Sequence, residues 1–200
     1  RIPKPSDGDL FFDIEGDPIF PEGRLEYLFG LHDSIGDDFV DFWGHNHPDE
    51  KIAFERLIDF ITTRLVEHPN AYIYHYGSYE ETQLKRLCAK YSTRESEVDE
   101  ILRKSKLVDL LKVVREGILT SEETNSLKDL EVFFAPARSA DVVDAEQSMI
   151  QYEIWRITAD QKLLDDIRQY NKEDCENTKG LRDWLLKIKP TTVEWFLENS

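Results

Sequence analysis

Two carboxylates lie two residues apart inside a short apolar run near the start of the chain. The run covers residues 10–18, LFFDIEGDP, and its acids are Asp13 and Glu15. Side chains alternate between the faces of a β-strand, so these two carboxylates share one face. Either that face is solvated, or a cation relieves the repulsion, and hard divalent ions such as Mg²⁺ prefer oxygen ligands. The pair is therefore a candidate metal site.

A second acidic segment follows a strand-like run and opens a helix. It covers residues 75–87, HYGSYEETQLKRL, in which Gly77 permits a tight turn from strand to helix. Glu80 and Glu81 fall in the first helical turn, where the helix dipole favours acids. Taken alone, this segment is more typical of an ordinary helix start than of a catalytic site.

A third acidic segment lies in the long last helix. It covers residues 169–178, QYNKEDCENT, in which Tyr170 and Asp174 are four residues apart. This spacing places both side chains on the same helix face. Taken alone, the segment is more typical of a solvated acidic helix surface.

Together the three segments supply the carboxylates that a two-metal phosphodiesterase needs. Such a site uses about four carboxylates around two ions roughly 3.5–4 Å apart. Asp13, Glu15, Glu80 and Asp174 provide four. A tyrosine beside one ion can orient or deprotonate the attacking water, which is the role predicted for Tyr170.

The order of these segments resembles a known group of nucleases. DIE, HYGSYE and YNKED are similar to the three motifs of the DEDD 3′–5′ exonucleases, which have a ribonuclease-H-like fold. The tyrosine four residues before the last aspartate is typical of the DEDDy branch. More narrowly, the chain resembles the YprB-type domain found beside RecB-type nuclease or helicase domains. The resemblance implies a metal-dependent exonuclease that acts on 3′ ends of DNA or RNA with two Mg²⁺ or Mn²⁺ ions. It assigns the metal ligands to Asp13, Glu15, Glu80 and Asp174, and a catalytic role to Tyr170.

Two positions depart from the usual motifs. Glu80 stands where most of these exonucleases have aspartate, and Tyr76 stands where many have asparagine. Glu81 is the alternative for the second-motif acid, but Glu80 follows Tyr79 and so fits the order of aromatic then acid. The resemblance also implies that Asp109 lies near the site.

The predicted elements form an α/β domain with a mixed sheet and a helical second half. An antiparallel meander of three strands is predicted at residues 10–15, 25–32 and 38–43, and a parallel strand at 71–76. A helix begins near residue 47, and further helices are predicted at 79–91, 95–104, 107–115, 126–134, 149–156 and 160–187. A fifth strand, usual in ribonuclease-H-like folds, is not placed. We expect a single domain over residues 1–200, with residues 1–8 linker-like, excised from a longer protein.

Composition narrows the class of protein. The net charge of −16 argues against nucleic-acid binding by general electrostatic attraction, but not against an enzyme whose metal ions contact phosphate. Two cysteines without disulfide or zinc spacing indicate a reducing, cytoplasmic setting. No apolar run is long enough to predict a membrane span.

Two other functions are consistent with the sequence. One is a nuclease-like module that binds nucleic acid or a partner without turnover, and the other is an endonuclease of the ribonuclease H type. The densest basic patch, residues 103–106 with Lys85 and Arg86, either guides a nucleic-acid backbone or is solvated helix surface.

Overall fold

A computed structural model describes residues 2–122, 124–135 and 144–195. The strands are β1 (Leu10–Asp17), β2 (Leu25–Asp33), β3 (Asp38–Trp43), β4 (Ile73–His75) and β5 (Leu107–Asp109). The helices are α1 (His47–Glu67), α2 (Tyr79–Tyr91), α3 (Glu95–Arg103), α4 (Leu110–Gly117), α5 (Leu127–Leu130), α6 (Ala145–Thr158) and α7 (Gln161–Ile188), with a 3₁₀ turn at Glu131–Phe133. This arrangement confirms the predicted α/β class with a helical second half.

The strands form one five-stranded mixed sheet in the order β3-β2-β1-β4-β5. The first three strands pair antiparallel, whereas β4 pairs parallel to β1 and β5 pairs parallel to β4. The predicted meander and the parallel fourth strand are both confirmed. β1 lies at the centre of the sheet, so its side chains are covered on both faces.

One face of β1 packs against the first three helices. Leu10, Phe12 and Ile14 join a buried cluster with Phe54 of α1 and Leu84 of α2. This packing uses every second residue of the strand, as the alternation of side chains requires. It leaves Asp13 and Glu15 on the opposite face.

The opposite face of β1 packs against α7. Phe11 and Tyr74 stack with ring centroids 5.3 Å apart, and both belong to a cluster with Leu181 and Leu185 of α7. Asp13 lies two residues beyond Phe11 on the same face. The long helix therefore crosses the sheet above the paired carboxylates.

The expected helix over residues 107–115 is wrong in its first three residues, which form β5. Val108 pairs with Tyr74 of β4, and this pairing supplies the fifth strand. Asp109 then caps α4, because its Oδ1 accepts the backbone N–H of Leu111 at 2.9 Å. A strand of three residues is too short to show a periodic pattern in the sequence.

Two further helices begin or end differently from expectation. α6 begins at Ala145 rather than at residue 149, because Asp144 caps it by accepting the backbone N–H of Gln147 at 2.9 Å. The segment expected as one helix over residues 126–134 is the short α5 followed by a 3₁₀ turn. No helix among the described residues is long and apolar enough to cross a bilayer.

Candidate active site

A cavity of about 420 Å³ opens beside the carboxylate face of β1. Its wall is formed by β1, the start of α2, and parts of α6 and α7. All five site residues predicted from the sequence line it, namely Asp13, Glu15, Glu80, Tyr170 and Asp174. Segments far apart in the sequence therefore converge on one cavity, as the motif interpretation requires.

Three of these acids lie within reach of a single ion. Asp13, Glu15 and Asp174 each offer a carboxylate oxygen, and the three oxygens lie within 4.8 Å of one another. β1 supplies two of them because residues two apart share a strand face, and α7 supplies the third as it crosses that face. The donor set, three carboxylates and no sulfur or nitrogen, suits a hard divalent cation.

Burial and mutual repulsion raise the pKa values of the two carboxyls on β1. The pKa of Glu15 rises to about 8, first because the group is buried and then because of the charge of Asp174. The pKa of Asp13 rises well above its usual range for the same reasons, with further repulsion from Glu15 and Glu80. Without a cation, ionising this cluster therefore opposes folding.

Glu80 lines the cavity but lies outside the triad. Its Oε2 pairs with Nδ1 of His75 at 3.2 Å, and both side chains are buried. The neighbouring Glu81 does not line the cavity and pairs instead with Lys85 on the exposed face of α2. Of the two candidates for the second motif, only Glu80 is in position to act in the cavity.

Asp109 shapes the approach to the site rather than lining the cavity. Its Oδ1 accepts the backbone N–H of Gly77 at 2.9 Å. Gly77 has φ +95°, a conformation that residues with a side chain rarely adopt. This contact fixes the turn that leads from β4 into α2 and hence the position of Glu80.

Asn171 is a site residue that the sequence interpretation missed. It is fully buried, and its Nδ2 donates to Asp13 Oδ2 at 2.7 Å and to Glu15 Oε1 at 3.5 Å. The signal was present in its spacing, because residues three apart on a helix are neighbours and Asn171 precedes Asp174 by three. The amide holds the two carboxylates in place from the helix side.

Glu15 is also held from α6. Ser148, which is fully buried, hydrogen-bonds the Glu15 carboxylate. The Ser148 hydroxyl lies 2.7 Å from the hydroxyl of Tyr27. Neither residue carries a motif, and only the start of α6 at Ala145 brings Ser148 to this position.

The Gly30→Ala variant is expected to unfold more easily and to disturb the carboxylate pair. A Cβ at this position in β2 would lie 1.7 Å from Asn171 Oδ1 and 2.8 Å from Phe39 Cε2. Relieving such overpacking costs about 1–3 kcal/mol in a core. Urea denaturation of the parent and the variant measures the loss.

A matched control is Gly117→Ala at the end of α4, where an added Cβ meets nothing within 4 Å. That variant should be neutral or slightly more stable. Equal stability of the Gly30→Ala variant and the parent would mean that Asn171 is not held against Gly30.

The basic patch proposed from the sequence is not part of the cavity wall. Arg103 and Lys104 pair with acids one turn earlier on α3, and Lys85 pairs with Glu81. Lys106 donates to the carbonyl of Pro69 at 2.9 Å. Arg103, Lys104 and Lys85 thus belong to solvated helix ends and faces, whereas Lys106 is buried, and none of these contacts favours a nucleic-acid track.

The sequence profile of one protein family matches the chain over residues 10–186, which spans every element of the sheet and most of α7. That family is described as part of the RNase H superfamily. The chain belongs to the RNase H superfamily. No curated protein is similar enough to match it. Membership agrees with the mixed sheet and with the acidic triad, and it indicates a nuclease that acts on nucleic acid with divalent metal.

Proposed function

We propose that this domain is a 3′–5′ exonuclease that hydrolyses phosphodiester bonds of DNA or RNA with two Mg²⁺ or Mn²⁺ ions. The observation that carries the proposal is the convergence of Asp13, Glu15, Glu80, Tyr170 and Asp174 on one cavity. The DEDDy resemblance supplies the polarity and the pairing of tyrosine with the last aspartate. The YprB resemblance adds flanking nuclease or helicase domains as expected partners.

The residues present fit the proposed ions. Asp13, Glu15 and Asp174 offer three oxygens close enough to share one ion, and Glu80 offers a fourth carboxylate on the cavity wall. Burial and the charge of Asp174 raise the pKa of Glu15, and a bound cation would relieve that repulsion. When bound, two such ions would activate the attacking water and stabilise the leaving 3′ oxygen of an in-line displacement.

The protein's own contribution is to hold the ligands and to orient the water. Asn171 fixes Asp13 and Glu15 through its amide. Tyr170 is mostly buried, lines the same cavity and lies one helical turn from Asp174. These positions support a role for its phenol in orienting the attacking water. The buried pair with His75 holds the carboxylate of Glu80, which the resemblance assigns to the second motif, on the cavity wall.

The parent protein should shorten 5′-labelled single strands stepwise from the 3′ end in Mn²⁺ and release nucleoside 5′-monophosphates. DNA and RNA are tested in parallel, each with an unmodified 3′ end and with a 3′ end blocked by phosphorothioate linkages. The Asp174→Asn protein, purified in the same way, controls for a contaminating nuclease. Digestion by that variant at the parental rate would show that Asp174 is not required for hydrolysis.

The same assay separates the alternatives. The position of Glu80 outside the triad favours, as a second candidate, a module that binds nucleic acid or a partner without turnover. Binding of unmodified strands without any product would support that module. Cleavage of a circular substrate, which has no ends, would instead indicate an endonuclease.

A further inference from the structure

We propose that Arg24 binds a backbone phosphate of the substrate strand at the rim of the acidic cavity. This inference rests on the proposed function, because it names how that site attracts and orients a nucleic acid. Arg24 is the one cationic residue among the described residues that line the cavity, whose other charged lining residues are all acids. A strand of phosphates entering such a cavity meets repulsion from every other charged group on its wall.

The Arg24 guanidinium is held in place by buried groups. Its Nε donates to Glu26 Oε1 at 2.8 Å, and its Nη2 donates to the hydroxyl of Tyr79 at 2.8 Å. Tyr79 in turn donates to Glu26 Oε2 at 2.8 Å, and Glu26 is fully buried. The guanidinium also lies over the Tyr79 ring, 5.3 Å from its centroid. Arg24 is therefore pre-organised, and little side-chain entropy would be lost when it binds a phosphate.

Gly16 makes this anchor possible beside the catalytic strand. A Cβ at Gly16 would lie 1.8 Å from Glu26 Oε2 and 2.9 Å from the Tyr79 hydroxyl. Gly16 directly follows Glu15 of the triad, and it lines the same cavity as Arg24. The anchor of the arginine is thus packed against the strand that carries the candidate metal ligands.

The charge of Arg24 is not cancelled by its anchor. Glu26 Oε1 also accepts from Arg86 at 2.8 Å, and Glu50 Oε2 accepts from Lys90 at 2.7 Å. Glu50 Oε1 also lies 3.7 Å from Arg86, so the two sites form one network. Three cations share two buried carboxylates, so the network has a net charge of +1. Arg24 is the outermost of the three cations, with 34 % of its side chain exposed.

The guanidinium also keeps donors for a ligand. Arginine has five N–H groups in a planar fork. Glu26 and Tyr79 use two of them, and the other three have no partner among the described residues. Two N–H groups on one edge of the fork match two oxygens of a phosphate. Arg24 is proposed as a binding and positioning residue, since the reacting atoms lie with the triad.

The test compares binding of a single-stranded oligothymidylate to the parent, Arg24→Gln and Arg24→Lys in Ca²⁺, with phosphorothioate linkages to prevent digestion. Arg24→Gln should weaken binding about tenfold, as expected for a hydrogen bond to a charged group. Its plot of log affinity against log salt should lose about 0.7 in slope, the value for one phosphate contact on a single strand. Arg24→Lys should keep the parental slope with intermediate affinity, because it keeps the charge and loses the fork.

The Arg103→Gln variant is the matched control, since Arg103 is an exposed cation that does not line the cavity. It should keep both the parental affinity and the parental slope. Thermal melting in the same buffer distinguishes phosphate binding by Arg24 from a purely structural role. A structural role would lower the melting temperature of Arg24→Gln and leave the salt slope unchanged.

Each outcome bears on one proposal in particular. Parental affinity and slope in Arg24→Gln would overturn the assignment of Arg24 and leave the exonuclease proposal standing. A parent that binds, with the expected loss in Arg24→Gln, but releases no product from unmodified strands in Mn²⁺ would support Arg24 and overturn the exonuclease. A parent that does not bind single strands at all would overturn both.

Discussion

The Asp13→Asn variant is expected to lose at least about 100-fold in hydrolysis, while its metal-free form melts at a higher temperature than the parent. Asparagine keeps the shape of the side chain and still accepts the amide N–H of Asn171. It removes one carboxylate of the triad and with it the negative charge that attracts the ion. The same charge, repelled by Asp174, Glu15 and Glu80, destabilises the metal-free fold. One substitution should therefore move activity and stability in opposite directions.

The measurement pairs single-strand digestion in Mn²⁺ with thermal melting at pH 8 in chelator. Asp13→Asn should raise the metal-free melting temperature by about 5 °C, from the usual 2–4 °C per kcal/mol in a domain of this size. Excess Mn²⁺ should raise the melting temperature of the parent by mass action and leave that of Asp13→Asn nearly unchanged.

The control for this comparison is Asp59→Asn. The Asp59 carboxylate pairs with Arg94, which lowers its pKa, so neutralising it should not raise the melting temperature. If Asp13→Asn kept parental activity and melted no higher than Asp59→Asn, Asp13 would not belong to a metal cluster.

The sequence alone predicted the three-stranded meander, the parallel fourth strand and the shared face of Asp13 and Glu15, and the resemblance implied that the distant acids converge. The two faces of β1 can be predicted from the sequence, because the apolar residues Phe12 and Ile14 alternate with the acids Asp13 and Glu15. The helix face of Asp174 follows from the spacing to Tyr170. Periodicity of this kind is local, so it can be read without knowing what packs on the other side.

The residues that hold the carboxylates were not predictable in the same way. Asn171 acts on β1 because Gly30, on the neighbouring strand, leaves room for its amide. Ser148 reaches Glu15 because α6 begins four residues earlier than its apolar pattern suggests. Arg24 is positioned by Glu26, a buried acid whose partners come from α2. Each role depends on a contact between distant segments, and no single segment carries a signal of it.

The short elements were predicted wrongly for a related reason. β5 has three residues and is a strand because β4 offers a free edge, not because residues 107–109 have a strand pattern. Asp109 ends that strand and caps α4. The expected helix over residues 107–115 placed Asp109 in its interior, whereas the helix begins only after it. Tertiary pairing decides such segments, and propensity does not.

The melting temperature of the metal-free parent is expected to fall by about 3 °C for each pH unit between pH 7 and 8. The pKa of Glu15 is raised from 4.5 to about 8 by burial and by Asp174. In this range the folded protein keeps a proton that the unfolded chain has lost, so stability decreases as the pH rises. The loss should be complete above about pH 8. Asp13, whose pKa is raised in the same direction, adds to the effect.

The Glu15→Gln variant should flatten this pH dependence, because glutamine cannot ionise. Burial lowers the pKa values of His32 and His45, so both are neutral in the folded protein in this range. In the unfolded chain, where the histidine pKa is about 6.5, a minor fraction is still protonated at pH 7, and this opposes the decline only slightly and less as the pH rises. Saturating Mg²⁺ should also remove the decline in the parent, since a bound cation favours the ionised carboxylates. A parent whose melting temperature stayed constant in chelator across this range would show that Glu15 ionises without cost. The acids of β1 would then be solvated and would not require a cation. The paired carboxylates in the sequence would no longer support a metal-dependent mechanism.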